Sequence, residues 1–406
     1  MRIALWIGLV LGVTAPAAAL TPAEIDAVGG KAHSGLRTVV RKLASDKLLG
    51  RDNATQGSLD AQAWLLRKLR RLGPGLDAAG VGDGAYEQAF VQSGQPGTNL
   101  LAVIPGRELP NEYVIVGAHY DHLDSRSSID GHCSANGTPG GSICNGATDN
   151  AAGVAAVLAI GQAIRRLPTP PRRSVVLALW DAEEDGLLGS RYYVNHPLVP
   201  NASVKGYVNF DIQGANLLPS LRTTSFAVSG ETGGSALGAL IDQAVATESL
   251  GTRQLTYLFG QLRSDYANFV GVGVPTVFFS DSTGGCYHTT GDDVSVVDFT
   301  KLKRQSHIAF RTTAGLAETA TPPSFVPSGG PVYADAVVIA DVVHASFGDL
   351  ALFSSADQAF LQSADTQLQA VVAAGPGAFD QTAVSALIPL VVQLVDTLTH
   401  VACQRF

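Results

Sequence analysis

Histidine and carboxylate side chains occur in this chain as short polar clusters, and most of these clusters directly follow an apolar run. Neutral imidazole nitrogens and carboxylate oxygens are the ligands that zinc takes in hydrolytic sites. The clusters are His119-Tyr120-Asp121-His122, Thr148-Asp149-Asn150, Asp181-Ala182-Glu183-Glu184, Asp211 and Tyr287-His288. Five such clusters in one chain predict a metal-dependent hydrolytic centre.

The composition of the clusters favours two metal ions. Two histidines and three carboxylates can hold a pair of zinc ions if one carboxylate bridges both, and such ions clamp a nucleophilic water and the substrate carbonyl. Buried carboxylates without cations would repel one another strongly. Two divalent cations would remove that repulsion, so we expect two Zn²⁺ as the cofactors.

Strand geometry separates the roles within the first cluster. Side chains alternate along a strand, so His119 and Asp121 share a face while His122 points elsewhere. We therefore interpret His119 as a metal ligand, Asp121 as the acceptor of its other ring N–H, and His122 as an ordinary histidine. Glu183 and Glu184 are adjacent and project differently, so one can bind metal while the other transfers protons.

From residue 100 to about residue 318, β-rich apolar runs alternate with helical segments. This alternation predicts an α/β fold with a mixed, mainly parallel central sheet flanked by helices. Ligands of such sheets gather beyond the carboxyl ends of the strands, where the polar clusters lie. Before this region, Thr21 to Gly97 is predicted to be mostly helical, from the spacing of its apolar residues.

The two ends of the chain differ from its middle. Arg2, the apolar run Ile3 to Val13 and Ala17-Ala18-Ala19 form the pattern of a secretory signal peptide, and the run is too short for a membrane span. We therefore predict a signal peptide at 1–19, the α/β domain at 20–320, a Pro-, Ser- and Gly-rich linker at 321–331 and a helical C-terminal extension at 332–406. The protein is expected to be secreted or periplasmic, and not membrane-bound once the signal is removed.

Charge and cysteine content restrict the partners and the compartment. The net charge of −8 does not favour binding to nucleic acid.

An even number of cysteines in an exported chain suggests two disulfides. Cys133 and Cys144 bracket a Gly-, Ser- and Asn-rich loop, which leaves Cys286 and Cys403 as the second pair by elimination. Metal ligation by cysteines is the alternative, although no C-x-x-C spacing supports it.

Taken in order, the motifs resemble those of the secreted bacterial leucyl aminopeptidase family, which also includes glutaminyl cyclases and glutamate carboxypeptidases. The resemblance covers roughly residues 40 to 318. Its motifs are Gly117-Ala118-His119-Tyr120-Asp121-His122, Gly146-Ala147-Thr148-Asp149-Asn150-Ala151-Ala152-Gly153, Ala182-Glu183-Glu184-Asp185-Gly186-Leu187-Leu188-Gly189-Ser190, Asn209-Phe210-Asp211, Ser264-Asp265-Tyr266 and Tyr287-His288-Thr289.

The resemblance implies a complete set of metal ligands. His119 and Asp211 would bind one zinc ion, Glu184 and His288 would bind the other, and Asp149 would bridge both. Members of the family often have a cis peptide bond after the residue that corresponds to Asp149.

The resemblance also implies the catalytic roles. Glu183 would be the general base that deprotonates a water bridging the two ions and then protonates the leaving amine. Asp121 would orient His119, and Tyr287 would polarise the substrate carbonyl.

These roles predict an aminopeptidase that hydrolyses the N-terminal bond of peptides with a free N-terminus. The alternatives are a glutaminyl-peptide cyclotransferase, which uses one zinc on the same scaffold, and a non-catalytic peptidase-like binding protein. Neither the preferred first side chain nor the oligomeric state follows from the sequence. Four aromatic residues are candidates for an apolar pocket, although such residues near strands more often lie in the core: Tyr257, Phe259, Phe278 and Phe279.

Overall fold

The computed structural model describes residues 19–30, 33, 35–76, 86–124, 133–134 and 142–404. Within these residues one mixed sheet has the strands β1 Glu87–Gln92, β2 Gln95–Ile104, β3 Leu109–His119, β4 Arg173–Trp180, β5 Val204–Phe210, β6 Thr224–Val228, β7 Gly251–Leu255 and β8 Thr276–Ser280. The α-helices are α1 Pro22–Gly29, α2 Leu36–Leu43, α3 Gln56–Leu69, α4 Ala152–Ile164, α5 Leu188–Asn195, α6 Gly234–Val245, α7 Tyr266–Gly271, α8 Phe299–Glu318, α9 Tyr333–Ala345, α10 Ser355–Ala374 and α11 Gln381–Thr399.

The strand order of the sheet is β1-β2-β4-β3-β5-β8-β6-β7. The four central strands β4, β3, β5 and β8 are parallel to their neighbours in this group, whereas β2 and β6 flank them in antiparallel pairing. The carboxyl ends of the central strands therefore meet at one edge, and His119, Asp181 and Asp211 lie at or directly after three of them. This confirms the predicted mixed α/β fold.

Helices cover both faces of the sheet, so the central strands are buried on both sides. In β4, Val175, Leu177 and Leu179 pack into one core with α4 and α8, while Val176 and Trp180 belong to a second core on the opposite face. The alternation follows from the two-residue repeat of side chains along a strand. An apolar run without polar interruptions is what such doubly covered strands require.

The N-terminal region is less helical than predicted. α1 to α3 are present, but the chain then forms a hairpin of β1 and β2 instead of continuing as helix. The turn uses Ser93 and Gly94, both with positive φ, as tight two-residue hairpins require. β7 was also not predicted, because its residues Gly251 to Leu255 are mostly polar and only partly buried. The predicted signal peptide at 1–19 lies almost wholly outside the described residues.

The C-terminal extension forms three helices, α9 to α11, that pack into the second core. Ile339, Leu361, Val391 and Leu394 from these helices are buried together with residues of the sheet such as Phe226. Both predicted disulfides are present, and Cys286–Cys403 joins the end of the extension to the segment before His288. The extension is therefore part of the wall around the polar edge of the sheet.

Two described helical segments are long and apolar enough for a membrane span by length and composition alone. Ala147–Ile164 is 94% buried in the fold, as expected for a core helix. The other segment is α11, which is 22% buried over the corresponding window.

Candidate metal centre

His119 ends β3 and brings two carboxylates together. Its Nε2 atom lies 3.3 Å from Asp149 Oδ1 and 3.3 Å from Asp211 Oδ1. The ligand atoms of these three buried residues lie within 4.8 Å of one another, as a shared cation requires. Asp211 is held in place by β5, where Asn209 donates to Ser264 Oγ and accepts from the Tyr207 hydroxyl.

The second group of ligands centres on Glu184. His288 Nε2 lies 3.0 Å from Glu184 Oε2 and 3.5 Å from Asp149 Oδ2, yet it has no hydrogen-bond partner among the described residues. An imidazole nitrogen that points between two carboxylates without a hydrogen bond is placed to bind a cation. Asp149 therefore lies between both groups, as a bridging carboxylate must.

His122 lies in the site, contrary to its interpretation as an ordinary histidine. Its Nδ1 atom is 2.7 Å from Glu184 Oε1 in hydrogen-bond geometry, and 3.9 Å from Asp149 Oδ1. The alternation argument failed because β3 ends at His119, so the residues after it no longer follow a strand. His122 is thus placed to hold Glu184.

Asp149 is fixed by residues that the sequence did not indicate. The Asp292 carboxylate accepts hydrogen bonds from the backbone N–H groups of Thr148 and Asp149 at 2.9 and 3.0 Å. The buried Arg51 guanidinium donates to the carbonyl oxygens of Tyr120 and Gly146, and so ties the segment after β3 to the loop that carries Asp149. The peptide bond between Asp149 and Asn150 is cis, as the resemblance implied. No local pattern marks Arg51 or Asp292, because each acts through long-range contacts.

Asp121 connects the two ligand groups. His119 Nδ1 lies 3.2 Å from the backbone oxygen of Asp121 and 3.6 Å from its Oδ1 atom. The other carboxylate oxygen of Asp121 accepts the backbone N–H of Glu184 at 3.2 Å. Asp121 therefore faces the ring nitrogen of His119 that points away from Asp149 and Asp211.

Glu183 lies beside the ligands in a strongly acidic environment. Its Oε2 atom is 4.0 Å from His119 Nε2. Burial, together with the charges of Asp211 and Glu184, raises the pKa of Glu183 well above its usual range. Burial also raises the pKa of Asp211. A raised pKa means that ionising these buried carboxylates costs free energy. Bound cations would offset that cost, so the residues fit a divalent metal centre.

Tyr287 and His288 form the far side of the centre. Their rings stack with centroids 3.8 Å apart, and Arg263 Nη2 donates to the Tyr287 hydroxyl at 3.1 Å. Burial and the nearby charges of Glu184 and Asp149 raise the pKa of Tyr287, so its hydroxyl keeps its proton. Ser134, next to Cys133, donates to the backbone oxygen of His288, which brings the disulfide-bonded loop alongside. Residues 135–141 of that loop lie outside the described residues.

A cavity opens from the centre into the interior. Four carboxylates line one end: Asp149, Glu183, Glu184 and Asp211. Most of its remaining lining is apolar, and Phe259 and Phe278 contribute to it as the sequence suggested. Tyr257 and Phe279 do not line it; Phe279 stacks on Phe210 in the opposite core.

A sheet of this topology, with imidazoles and carboxylates beyond its central strand ends, is typical of α/β proteins that bind their ligands or metal ions at that edge. The sequence profile of peptidase family M28 matches residues 99–313, which include all the residues described above except Arg51. The chain belongs to that family.

Individual relatives agree with this assignment. Leupeptin-inactivating enzyme 1 of Streptomyces exfoliatus is 30% identical over 335 residues, covering 76% of this chain and 66% of that protein. An aminopeptidase of Pseudomonas aeruginosa is 32% identical over 174 residues, covering 41% of this chain and 27% of that protein. The chain thus spans just under two thirds of the first relative and about a quarter of the second.

Solved structures show the same fold. The LapA aminopeptidase of Legionella pneumophila superposes with a TM-score of 0.56 at 18% sequence identity, covering 79% of this chain and 81% of that one. At this identity the likeness concerns the fold, and the chemistry has to be argued from the site itself.

Proposed function

We propose that the protein is an exported, zinc-dependent aminopeptidase that hydrolyses the first peptide bond of peptides with a free N-terminus. The observation that carries this proposal is the convergence of His119, Asp149, Glu184, Asp211 and His288 beside a mostly apolar cavity, which three of these carboxylates line. The names of the relatives from Streptomyces and Pseudomonas are consistent with a peptide-directed activity.

The proposed ligand set would accommodate two ions with Asp149 shared between them. One ion would be held by His119 and Asp211, the other by Glu184 and His288. Such ions would polarise the scissile carbonyl and lower the pKa of a water molecule.

The residues around the ligands would perform the proton transfers. Glu183 lines the cavity without being needed as a ligand, so its carboxylate can take a proton from the attacking water and deliver it to the leaving amine. Tyr287 keeps its proton, so its hydroxyl can donate a hydrogen bond to the developing oxyanion. Asp121, facing Nδ1 of His119, would keep Nε2 free for the cation.

The acidic end of the cavity supports exopeptidase specificity. A free α-ammonium group offsets the desolvation of these carboxylates, whereas an internal amide cannot. Hydrolysis of a panel of aminoacyl-nitroanilides, with and without a chelator, tests the proposal. We expect cleavage of leucyl or similar apolar substrates that stops on chelation and returns with added zinc. Activity unaffected by chelation would contradict it.

A further inference from the structure

The cavity at the metal centre extends well beyond the carboxylates. It continues past Ile212 and Phe278 of the α/β domain and ends against the C-terminal extension. The extension supplies a large part of the lining, including Ile339, Val342, Leu361, Val391, Leu394 and Leu398. All six side chains are aliphatic, and the polar Ser346, which also lines the cavity from the extension, already donates its hydroxyl to the backbone oxygen of Val343.

One face of α11 forms this wall. Val391 and Leu394 are each 7% exposed and line the cavity, whereas Ile388, one turn earlier on the same helix, is 38% exposed and does not. The helix is also held at its end, because Cys403 is bonded to Cys286 and the backbone of Val401 lies directly against Gly285. The wall is thus anchored one residue before Tyr287, on the segment that carries Tyr287 and His288.

The cavity is large enough for more than a small side chain. The cavity has a volume of about 150 Å³. A single water needs only ~10–15 Å³ by the same measure. The apolar part of a space of this size favours an apolar group that fills it.

We propose that the C-terminal extension builds the deep end of the pocket for the first side chain of the substrate, and that this pocket selects long or aromatic apolar side chains. The inference rests on the proposed aminopeptidase function and adds the substrate class to it. The carboxylates receive the free amine, and the extension receives the end of the side chain. Since the family profile ends at residue 313, this wall lies outside the region that matches the family.

Binding of unbranched α-amino acids to the zinc-loaded protein tests the inference without requiring turnover. The series runs from 2-aminobutyrate through norleucine to 2-aminodecanoate, with dissociation constants measured by calorimetry. Burial of each added methylene should tighten binding about fourfold until the chain reaches the end of the cavity. We expect this gain to continue past norleucine.

Two variants of α11 locate the end of the pocket. Val391→Phe should shorten the chain length at which the gain stops, and Leu394→Ala should lengthen it. Ile388→Phe, at an exposed position one turn earlier on the same helix, is the control and should keep the wild-type profile. Circular dichroism and thermal melting check that each variant is folded; if one is not, the wild-type series alone decides.

The outcomes separate this inference from the proposed function. Three results would overturn the inference even if leucyl-nitroanilide is hydrolysed. They are a wild-type series that levels off before norleucine, no binding at any length, and a folded Val391→Phe variant with the wild-type limit. Conversely, a length-dependent series that responds to Val391→Phe would support the pocket even if no nitroanilide is cleaved, and the proposed function alone would then fail.

Discussion

His122 Nδ1 lies 2.7 Å from one oxygen of Glu184, and His288 Nε2 lies 3.0 Å from the other. The two contacts differ in kind. His122 is in hydrogen-bond geometry with the carboxylate, whereas His288 is not and also lies close to Asp149. His122 is therefore placed to orient Glu184 and also lies close enough to Glu184 and Asp149 to share a cation with them, while His288 lies between the same two carboxylates.

Replacement of His122 by alanine should weaken zinc binding without abolishing it. Loss of a residue that orients a metal ligand typically costs about 10–100-fold in affinity. Competition with a chromogenic chelator measures the change. His344→Ala, at an exposed position on the extension, is the control and should leave the affinity unchanged. A His122→Ala protein that lacks a full equivalent of zinc would show that His122 is itself a ligand.

The sequence indicated the candidate metal ligands because several of them directly follow a strongly apolar strand. A polar residue such as His119 or Asp211 directly after a fully apolar strand is conspicuous, and parallel strand ends meet at one edge. His122 was misjudged because strand alternation was extended past the end of β3.

Features that depend on long-range packing were beyond the sequence patterns. Arg51 and Asp292 act through backbone groups far away in the chain, so nothing near them in sequence signals their role. The apolar residues of α11 look like any helix core, and their position at the cavity depends on how the extension docks on the sheet. Ser93-Gly94 is a typical hairpin turn sequence, and both residues have positive φ. The hairpin was missed because the region was predicted to be helical as a whole.

Glu183 and its neighbour Glu184 should respond differently to the same substitution. Glu183→Gln should retain zinc and lose about 10²–10⁴-fold in kcat, the usual contribution of a general base. Glu184→Gln should lower the zinc content, since it removes a carboxylate placed between His288 and His122. Metal analysis and steady-state kinetics on the two variants provide matched controls. Near-normal turnover of Glu183→Gln would exclude it as the base.

The purified protein should contain about two equivalents of zinc, as a bridged pair requires. Elemental analysis after dialysis measures the ratio. Chelation should also lower the melting temperature, because the buried carboxylates would then face one another without cations. One equivalent would favour the single-zinc cyclotransferase, and none would contradict both functions.

Zinc binding should release protons at neutral pH. Burial alone would lower the pKa of His288, but the charge of Glu184 outweighs it and raises the pKa to about 10 in the metal-free protein. An imidazole must be neutral to bind metal. The proton is thus present below about pH 10 and has to leave, so the apparent affinity should fall as the pH falls, by up to about tenfold per unit for each proton released.

Calorimetric titration in buffers of different ionisation enthalpy counts these protons. His288→Ala is the matched comparison, because it removes one titrating group together with one proposed ligand. The range from about pH 6 to about pH 9 spans roughly three units and lies below the pKa of His288. An affinity that does not change across this range would show that the site binds no exchangeable protons before zinc enters.

Removal of the predicted signal peptide should leave a protein that begins at Leu20. Its backbone nitrogen lies 3.0 Å from Glu318 Oε1, and Arg107 also donates to this carboxylate. Cleavage after Ala19 would turn that nitrogen into an ammonium group and strengthen the contact. Intact-mass analysis of the protein from the periplasm or medium checks the start. A different first residue would contradict the prediction.

The same contact should make stability depend on pH. Burial raises the pKa of Glu318, but its hydrogen bonds with Arg107 and Leu20 outweigh burial and lower it overall. A lowered pKa means that the stabilisation is present above the unfolded-state pKa of ~4.3 and is lost as the pH falls through the folded-state pKa. Glu318→Gln should therefore destabilise by roughly 1–2 kcal/mol at pH 7 and by less in acid. Glu108→Gln, which removes a more exposed partner of Arg107, is the control.

Blocking the amine of the substrate should abolish hydrolysis. The cavity places Asp149, Glu183, Glu184 and Asp211 at one end, and a free α-ammonium group is the part of a peptide that can offset their desolvation. N-acetylation removes that charge and leaves buried acceptors unpaired, a mismatch that commonly costs two or more orders of magnitude, so acetyl-leucyl-nitroanilide should react at least about 100-fold more slowly than leucyl-nitroanilide. N-methyl-leucyl-nitroanilide keeps the charge while adding bulk, and its intermediate rate would show that charge matters more than size. If the acetylated substrate were cleaved as fast as the free one, the enzyme would be an endopeptidase or a deacylase. The carboxylates of the cavity would then not be recognising the free α-ammonium group.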